Sequence, residues 1–176
     1  MLLNYIREHK TLNQFLCQTC EEHNISVVVD ERIESDDFEI IKPDDYFNSL
    51  GLENTPAAPD CFIVVRCQAE NEFALSIVEL KKANKSSNLS RNSLNQIKAK
   101  FENCLSKFMV EDFPEFDRDY QKVELLFISR MNPYFESRDT SRNLQIKVMR
   151  NWRFSFRNRR YLLKLHLPSP AIKPCY

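Results

Sequence analysis

Pro59-Asp60-Cys61-Phe62-Ile63-Val64-Val65-Arg66-Cys67-Gln68 and, after a polar break, Phe73-Ala74-Leu75-Ser76-Ile77-Val78-Glu79-Leu80-Lys81 decide how this chain folds. Both runs are rich in β-branched and aromatic residues. The four residues Ala69-Glu70-Asn71-Glu72 separate them, so the pair predicts a β-hairpin. An aspartate opens its first strand and a Glu-x-Lys closes its second. In an antiparallel pair the start of one strand lies beside the end of the next, which brings Asp60 and Glu79 to the same end of the sheet. Side chains alternate along a strand, so Glu79 and Lys81 share a face. Two carboxylates and a lysine are therefore expected to meet at one point.

Upstream, residues 2–23 read as a helix, with Leu12, Phe15, Leu16, Thr19 and Cys20 on an apolar stripe. Glu8 lies one turn before Leu12 and so falls on that inward face, where a carboxylate is costly unless it is paired or binds a metal. Ile25-Ser26-Val27-Val28-Val29 predicts the first strand. The acidic stretch from Asp30 to Asp45 reads as a loop with a short strand at Phe38-Glu39-Ile40-Ile41, and residues 48–59, with Gly51, Pro56 and Pro59, as a connector. Downstream of the hairpin comes a polar loop from Ala83 to Arg91. A second helix follows from about Ser93 to Val110, with Leu94, Ile97, Phe101, Leu105, Phe108 and Met109 on one stripe and Gln96, Lys100 and Lys107 on another. After the acidic loop 111–120, Val123-Glu124-Leu125-Leu126-Phe127-Ile128 is apolar on nearly both faces, as in a central strand.

This order of helix, strand, hairpin, helix and strand, carrying Pro59-Asp60 and Glu79-Leu80-Lys81 where it does, resembles the PD-(D/E)xK nuclease superfamily of restriction endonucleases, Holliday junction resolvases and RecB-type nucleases. The resemblance implies an α/β fold of the restriction-endonuclease-like αβββαβ type, a central mixed four-stranded sheet flanked by helices. That core would span about 2–130 of a single domain 1–176, with a C-terminal helix and hairpin extension over about 131–176. It also implies a Mg²⁺- or Mn²⁺-dependent endonuclease acting on DNA. Asp60, Glu79 and Glu8 would then be metal ligands, joined by the carbonyl of Leu80. Lys81 would orient or help deprotonate the attacking water, and Gln96 would touch the phosphate or a water. Lys82, Lys100, Arg153, Arg157, Arg159 and Arg160 are the expected nucleic-acid contacts. Related nucleases commonly act as dimers, so a homodimer, or membership of a larger complex, is expected. Two alternatives stand beside this reading. One is a nuclease fold that has lost catalysis and serves as a nucleic-acid- or protein-binding module. The other is an RNA-directed endonuclease using His9 or His23.

Composition narrows the classes further. The single glycine, Gly51, excludes glycine-rich phosphate loops. No apolar run approaches the roughly 20 residues that span a bilayer, and the N-terminal residues do not read as a secretory signal. Cytoplasmic residence with six reduced cysteines is the default expectation. Cys17-x-x-Cys20 with His23, placed on a helix, would spread around the cylinder and make a poor zinc site. The net charge of zero hides an asymmetry: residues 1–72 hold 15 acidic and 5 basic side chains, residues 73–176 hold 10 and 20. An anionic partner for the basic half is implied. Arg150-Asn151-Trp152-Arg153-Phe154-Ser155-Phe156-Arg157-Asn158-Arg159-Arg160-Tyr161 is the strongest candidate for it, with aromatics as core and the arginines of the hairpin turn toward phosphates.

Overall fold

The computed structural model describes residues 1–69, 71–84, 89–131 and 144–175. Part of the expected hairpin turn, part of the polar loop and the beginning of the C-terminal extension lie outside the described residues. The protein is mixed α/β: a seven-stranded mixed sheet carries a smaller three-stranded sheet on one face and helices on the other.

The predicted hairpin is the spine of the large sheet. Strands β5 (Cys61–Arg66) and β6 (Phe73–Lys81) pair antiparallel from Cys61↔Val78 to Arg66↔Phe73. Asn71, at φ 63°, supplies the left-handed residue of the connecting turn. Strand β7 (Lys122–Ser129) runs parallel to β6, and β4 (Phe38–Ile41) runs antiparallel to β5. The extension is part of the same sheet: β9 (Arg159–His166) pairs parallel with β7, and β8 (Arg153–Phe156) closes that edge. The β8–β9 turn consists of Arg157 and Asn158, both at positive φ, the backbone of a two-residue I′ turn. Helix α4 (Leu144–Arg150) precedes β8 and packs beneath β9.

Three expectations need correction. The N-terminal helix α1 ends at Glu8 (Leu2–Glu8), not near residue 23. His9 turns extended there, and its Nδ1 accepts the backbone N–H groups of Thr11 and Leu12, which diverts them from a helical ladder. The stripe of Leu12, Phe15 and Leu16 is instead spent on a 3₁₀ turn (Leu12–Phe15) and on β1 (Leu16–Cys17), the other edge strand. Next, Ile25–Val29 (β3) is a strand, but it lies outside the large sheet. It forms a hairpin with β2 (Cys20–Glu22) through His23 and Asn24, both at positive φ, and pairs parallel with β10 (Ala171–Ile172). The meander through the core is therefore β4-β5-β6, and the sheet has seven strands where four were expected. Finally, Pro43–Ser49 forms helix α2 inside the stretch read as loop and connector. Pro43 at its first turn, Asp44 and Asp45 beside its N-terminus and Gly51 at φ 62° just past its end are ordinary helix punctuation.

The reduced state expected for the cysteines is corrected as well: Cys20 is bonded to Cys61 and Cys67 to Cys175, leaving Cys17 and Cys104 free. Both bonds fasten β5, one at each end, to the small β10-β3-β2 sheet and the tail after it. Alternation sorts the two faces of the large sheet. Cys61, Ile63, Val65, Val78, Leu80, Leu126 and Ile128 face the small sheet. Phe62, Val64, Phe73, Leu75, Ile77, Leu125, Phe127 and Leu163 face the helices. The second predicted helix is α3 (Arg91–Asn103), capped by the Ser90 hydroxyl on the Ser93 amide and continued as a π-helix over Cys104–Asp112. It buries Ile97, Phe101, Cys104, Leu105, Phe108 and Met109. Phe62, Phe108, Phe113, Phe116 and Tyr46 form the aromatic centre of that layer. No helix among the described residues is long and apolar enough to cross a membrane.

Candidate active site

One step beyond the last ladder pair of the hairpin, Cys61↔Val78, stand Asp60 and Glu79. By alternation both belong to the helix-covered face, together with Lys81. Glu79 is only 1% exposed, an extreme position for a carboxylate. What makes it tolerable comes from α3: Lys100 Nζ lies 2.9 Å from both Glu79 oxygens and 3.9 Å from Asp60 Oδ1. Asp60 is fixed from its other side by the Leu80 amide, which donates to Oδ2 at 2.6 Å. In a strand the N–H and C=O of one residue point the same way, so the Leu80 carbonyl is directed toward the β5 side too.

Burial dominates the electrostatics. It pushes the Glu79 carboxyl up to about 8; the charge of Asp60 adds to the rise, and the Lys100 and Lys81 ammoniums oppose it. Asp60 is raised by burial, against the pull of Lys100 and the Leu80 amide. Burial alone would lower Lys100, but the two carboxylates and its hydrogen bonds to Glu79 more than reverse it. Three groups this close exchange protons as one system.

Lys81 sits half-buried on the same face and acts electrostatically on Glu79, as the alternation rule requires. Gln96 is exposed on α3, one turn before Lys100 and on the same stripe, and Lys82 is exposed just past the end of β6. Glu8 is not brought to the cluster. It is exposed at the last residue of α1, whose inward face is Leu2, Leu3 and Ile6. The helix that would have turned Glu8 inward stops before Leu12. Other acidic residues supply the field instead. Glu22 raises Asp60, because the Cys20–Cys61 bond holds β2 beside the start of β5. Asp44, in the first turn of α2, acts on Lys100. Neither helix α2 nor strand β2 was read from the sequence, so neither residue was placed beside the pair. Lys100 was nominated as a nucleic-acid contact; its place between Asp60 and the buried Glu79 had no sequence signal beyond its stripe on α3.

The C-terminal arginines lie elsewhere. Glu79 is level with Phe127, and Phe127 with Leu165. Arg159 precedes Leu165 by six residues, about 20 Å along the strand, so the β8–β9 turn is at the opposite end of the sheet. Arg157 there donates to the Asp117 carbonyl and carboxylate at 2.6 and 3.0 Å and pairs with Asp119 at 3.3 Å. Arg153 donates to the carbonyls of Arg150 and Trp152, and Arg159 and Arg160 are exposed. Phe154 and Phe156 are buried core, as expected. His9 packs edge-on against Phe113 and caps the end of α1, while His23 pairs with Glu22 in the β2–β3 turn.

Among the described residues no cluster of three His, Cys, Asp or Glu side chains is spaced to hold a metal by itself. Mg²⁺ does not require one, since it binds through one or two carboxylates and keeps several waters. The Lys100 ammonium marks a cation position between Asp60 and Glu79, and oxygen donors of this kind suit a hard divalent ion. No protein-family model matches the chain, and no curated protein or solved structure matches it either.

Proposed function

We propose that this protein is a divalent-metal-dependent endonuclease of the PD-(D/E)xK type, hydrolysing phosphodiester bonds in DNA. The observation that carries the reading is the convergence of Asp60 and the buried Glu79 on one cation position, with Lys81 on the same face. The order α1, β4, β5, β6, α3, β7, interrupted by β1–β3 before β4 and by α2 between β4 and β5, with sheet order β4-β5-β6-β7 at its centre, supports it. Asp60 and Glu79 would hold Mg²⁺ or Mn²⁺, with the Leu80 carbonyl as a further donor. Such an ion, when bound, would supply charge neutralisation at the scissile phosphate and lower the pKa of a bound water. Hydrolysis joins the water oxygen to phosphorus and breaks one phosphorus–sugar oxygen bond, whose oxygen then takes up a proton. Lys81, on the same face as Glu79, would orient that water and offset the negative charge that develops. The Leu80 amide holds Asp60 in one orientation, and the packed α3 layer keeps bulk water from Glu79. Nucleic acid would approach over the rim where β6 and β7 end, with Lys82 and Gln96 nearest.

A second reading has one observation in its favour. Lys100 satisfies both oxygens of Glu79, as a purely structural ion pair does in a fold that has lost catalysis. The deciding experiment is Mg²⁺/Mn²⁺-dependent cleavage of plasmid DNA, branched DNA and single-stranded RNA, comparing wild type with Asp60→Ala and Lys81→Ala. Cleavage of DNA lost in both variants supports the nuclease. A preference for RNA moves the substrate, and a folded protein that neither cleaves nor binds metal leaves the binding module.

A further inference from the structure

Lys100 stands where a bound cation would have to go. Its ammonium bridges both Glu79 oxygens at 2.9 Å and lies 3.9 Å from Asp60 Oδ1. Two cations cannot share that position. The group is also able to leave: Lys100 is 22% exposed, on the same polar stripe of α3 as the exposed Gln96, and its four-carbon stem carries a compact charge with three rotatable donors. Charge counting says when it would leave. With Asp60 and Glu79 ionised, Lys100 and the nearby Lys81 already offset the two negative charges; a divalent ion added on top would leave the cluster strongly positive. If the ammonium swings to a phosphate of a docked strand, the ion neutralises the two carboxylates and the lysine neutralises the phosphate. Lys81 can remain on its strand throughout.

We propose, resting on the metal-site reading above, that Lys100 is a displaceable counter-ion: it guards the Asp60–Glu79 pair in the free protein and transfers to a backbone phosphate when nucleic acid docks. Divalent-cation binding and nucleic-acid binding are then positively coupled through one side chain, and each ligand must tighten the other by the same factor. The free protein holds its metal weakly, and the site assembles only on its substrate.

Mn²⁺ titration, by calorimetry or by the spin-resonance signal of the free ion, tests this with and without a short phosphorothioate-substituted DNA duplex, which keeps the backbone charge and is cut slowly. Lys100→Met should bind Mn²⁺ about tenfold tighter than wild type in the absence of duplex, in the usual range of site-to-site coupling. The duplex should tighten Mn²⁺ binding to wild type several-fold and leave Lys100→Met unchanged. Lys100→Arg keeps the ion pair through a planar fork that releases less readily, so it should bind Mn²⁺ more weakly than wild type; it serves if the Met variant does not fold. Unchanged Mn²⁺ affinity in Lys100→Arg, or unchanged or weaker affinity in a folded Lys100→Met, overturns the counter-ion role. If Asp60→Ala still abolishes binding in that case, the metal site itself stands. Mn²⁺ binding that is absent from wild type and Lys100→Met alike, or indifferent to Asp60→Ala, overturns both.

Discussion

The Leu80 amide donates a 2.6 Å hydrogen bond to Asp60 Oδ2, which leaves Oδ1 as the atom facing Lys100. A residue of the second hairpin strand thus orients the carboxylate that opens the first. Asp60→Asn can retain the Leu80 bond through its amide oxygen while losing the charge. We expect it to fold within about 1 kcal/mol of wild type and to lose at least about 100-fold in metal-dependent cleavage, the upper end of what supporting groups around a metal are worth. Chemical denaturation beside a cleavage assay checks both; full activity in Asp60→Asn would remove the aspartate from the reaction.

Glu79 gives the protein a pH signature. Its folded-state value of about 8 lies above the roughly 4.3 of a glutamate in an unfolded chain. The folded state therefore holds a proton that the unfolded state has released, so its contribution is complete below about pH 4.3 and is lost as pH rises through about 8. Metal-free protein should weaken by a few kcal/mol across that window, and Glu79→Gln should flatten the slope. Urea midpoints at several pH values measure it.

The same proton opposes metal. Binding requires Glu79 ionised, so apparent Mn²⁺ affinity should climb about tenfold per pH unit below pH 8 and level off above it. A Mn²⁺ affinity that stays flat from pH 6 to 8 would argue against Glu79 as a ligand.

Native protein should show two free thiols, Cys17 and Cys104, against six after denaturation and reduction. Cys17 is half-buried and should react first; Cys104 is fully buried, and burial pushes its thiol up. Opening the two bonds, whose partners are 41 and 108 residues apart, should cost about 2–5 kcal/mol each by loop entropy. Thiol titration of protein made in a reducing cytosol and in an oxidising compartment measures which state each setting gives.

Arg157 is engaged by Asp117 and Asp119 at the end of the sheet remote from Glu79. Replacing Arg157 by Ala should leave the urea midpoint essentially unchanged, because an exposed ion pair is screened by solvent. Cleavage should be unaffected by Arg157→Ala or Arg159→Ala, whereas Lys82→Ala, next to the site, should weaken DNA binding. Gel-shift titrations of the three variants rank them.

Much of this was legible because the decisive signals are local. The Phe62–Val65 and Phe73–Val78 runs fix strands whatever surrounds them, and alternation then commits Glu79 and Lys81 to a face. The stripe of Ile97, Phe101 and Phe108 along α3 and its π-helical continuation is equally self-contained. The failures share a cause: non-local pairing overrode local period. Leu12, Phe15 and Leu16 recur at helical spacing, yet Leu16 pairs with Ile41. No periodicity announces a partner that far along the chain, nor that Cys20 meets Cys61. Lys100 illustrates the limit for the site. Its stripe put it on a polar face, but that this face abuts the end of β6 depends on how α3 crosses the sheet.

Both sulfur bridges share β5, and this changes how the molecule answers a protease. Any single cut between Cys20 and Cys61, or between Cys67 and Cys175, leaves two pieces still joined by a bridge, and the only peptide bonds between those spans run through β5 in the middle of the sheet. Nicked protein should migrate as one species on a gel without reductant and separate into fragments only when thiol is added.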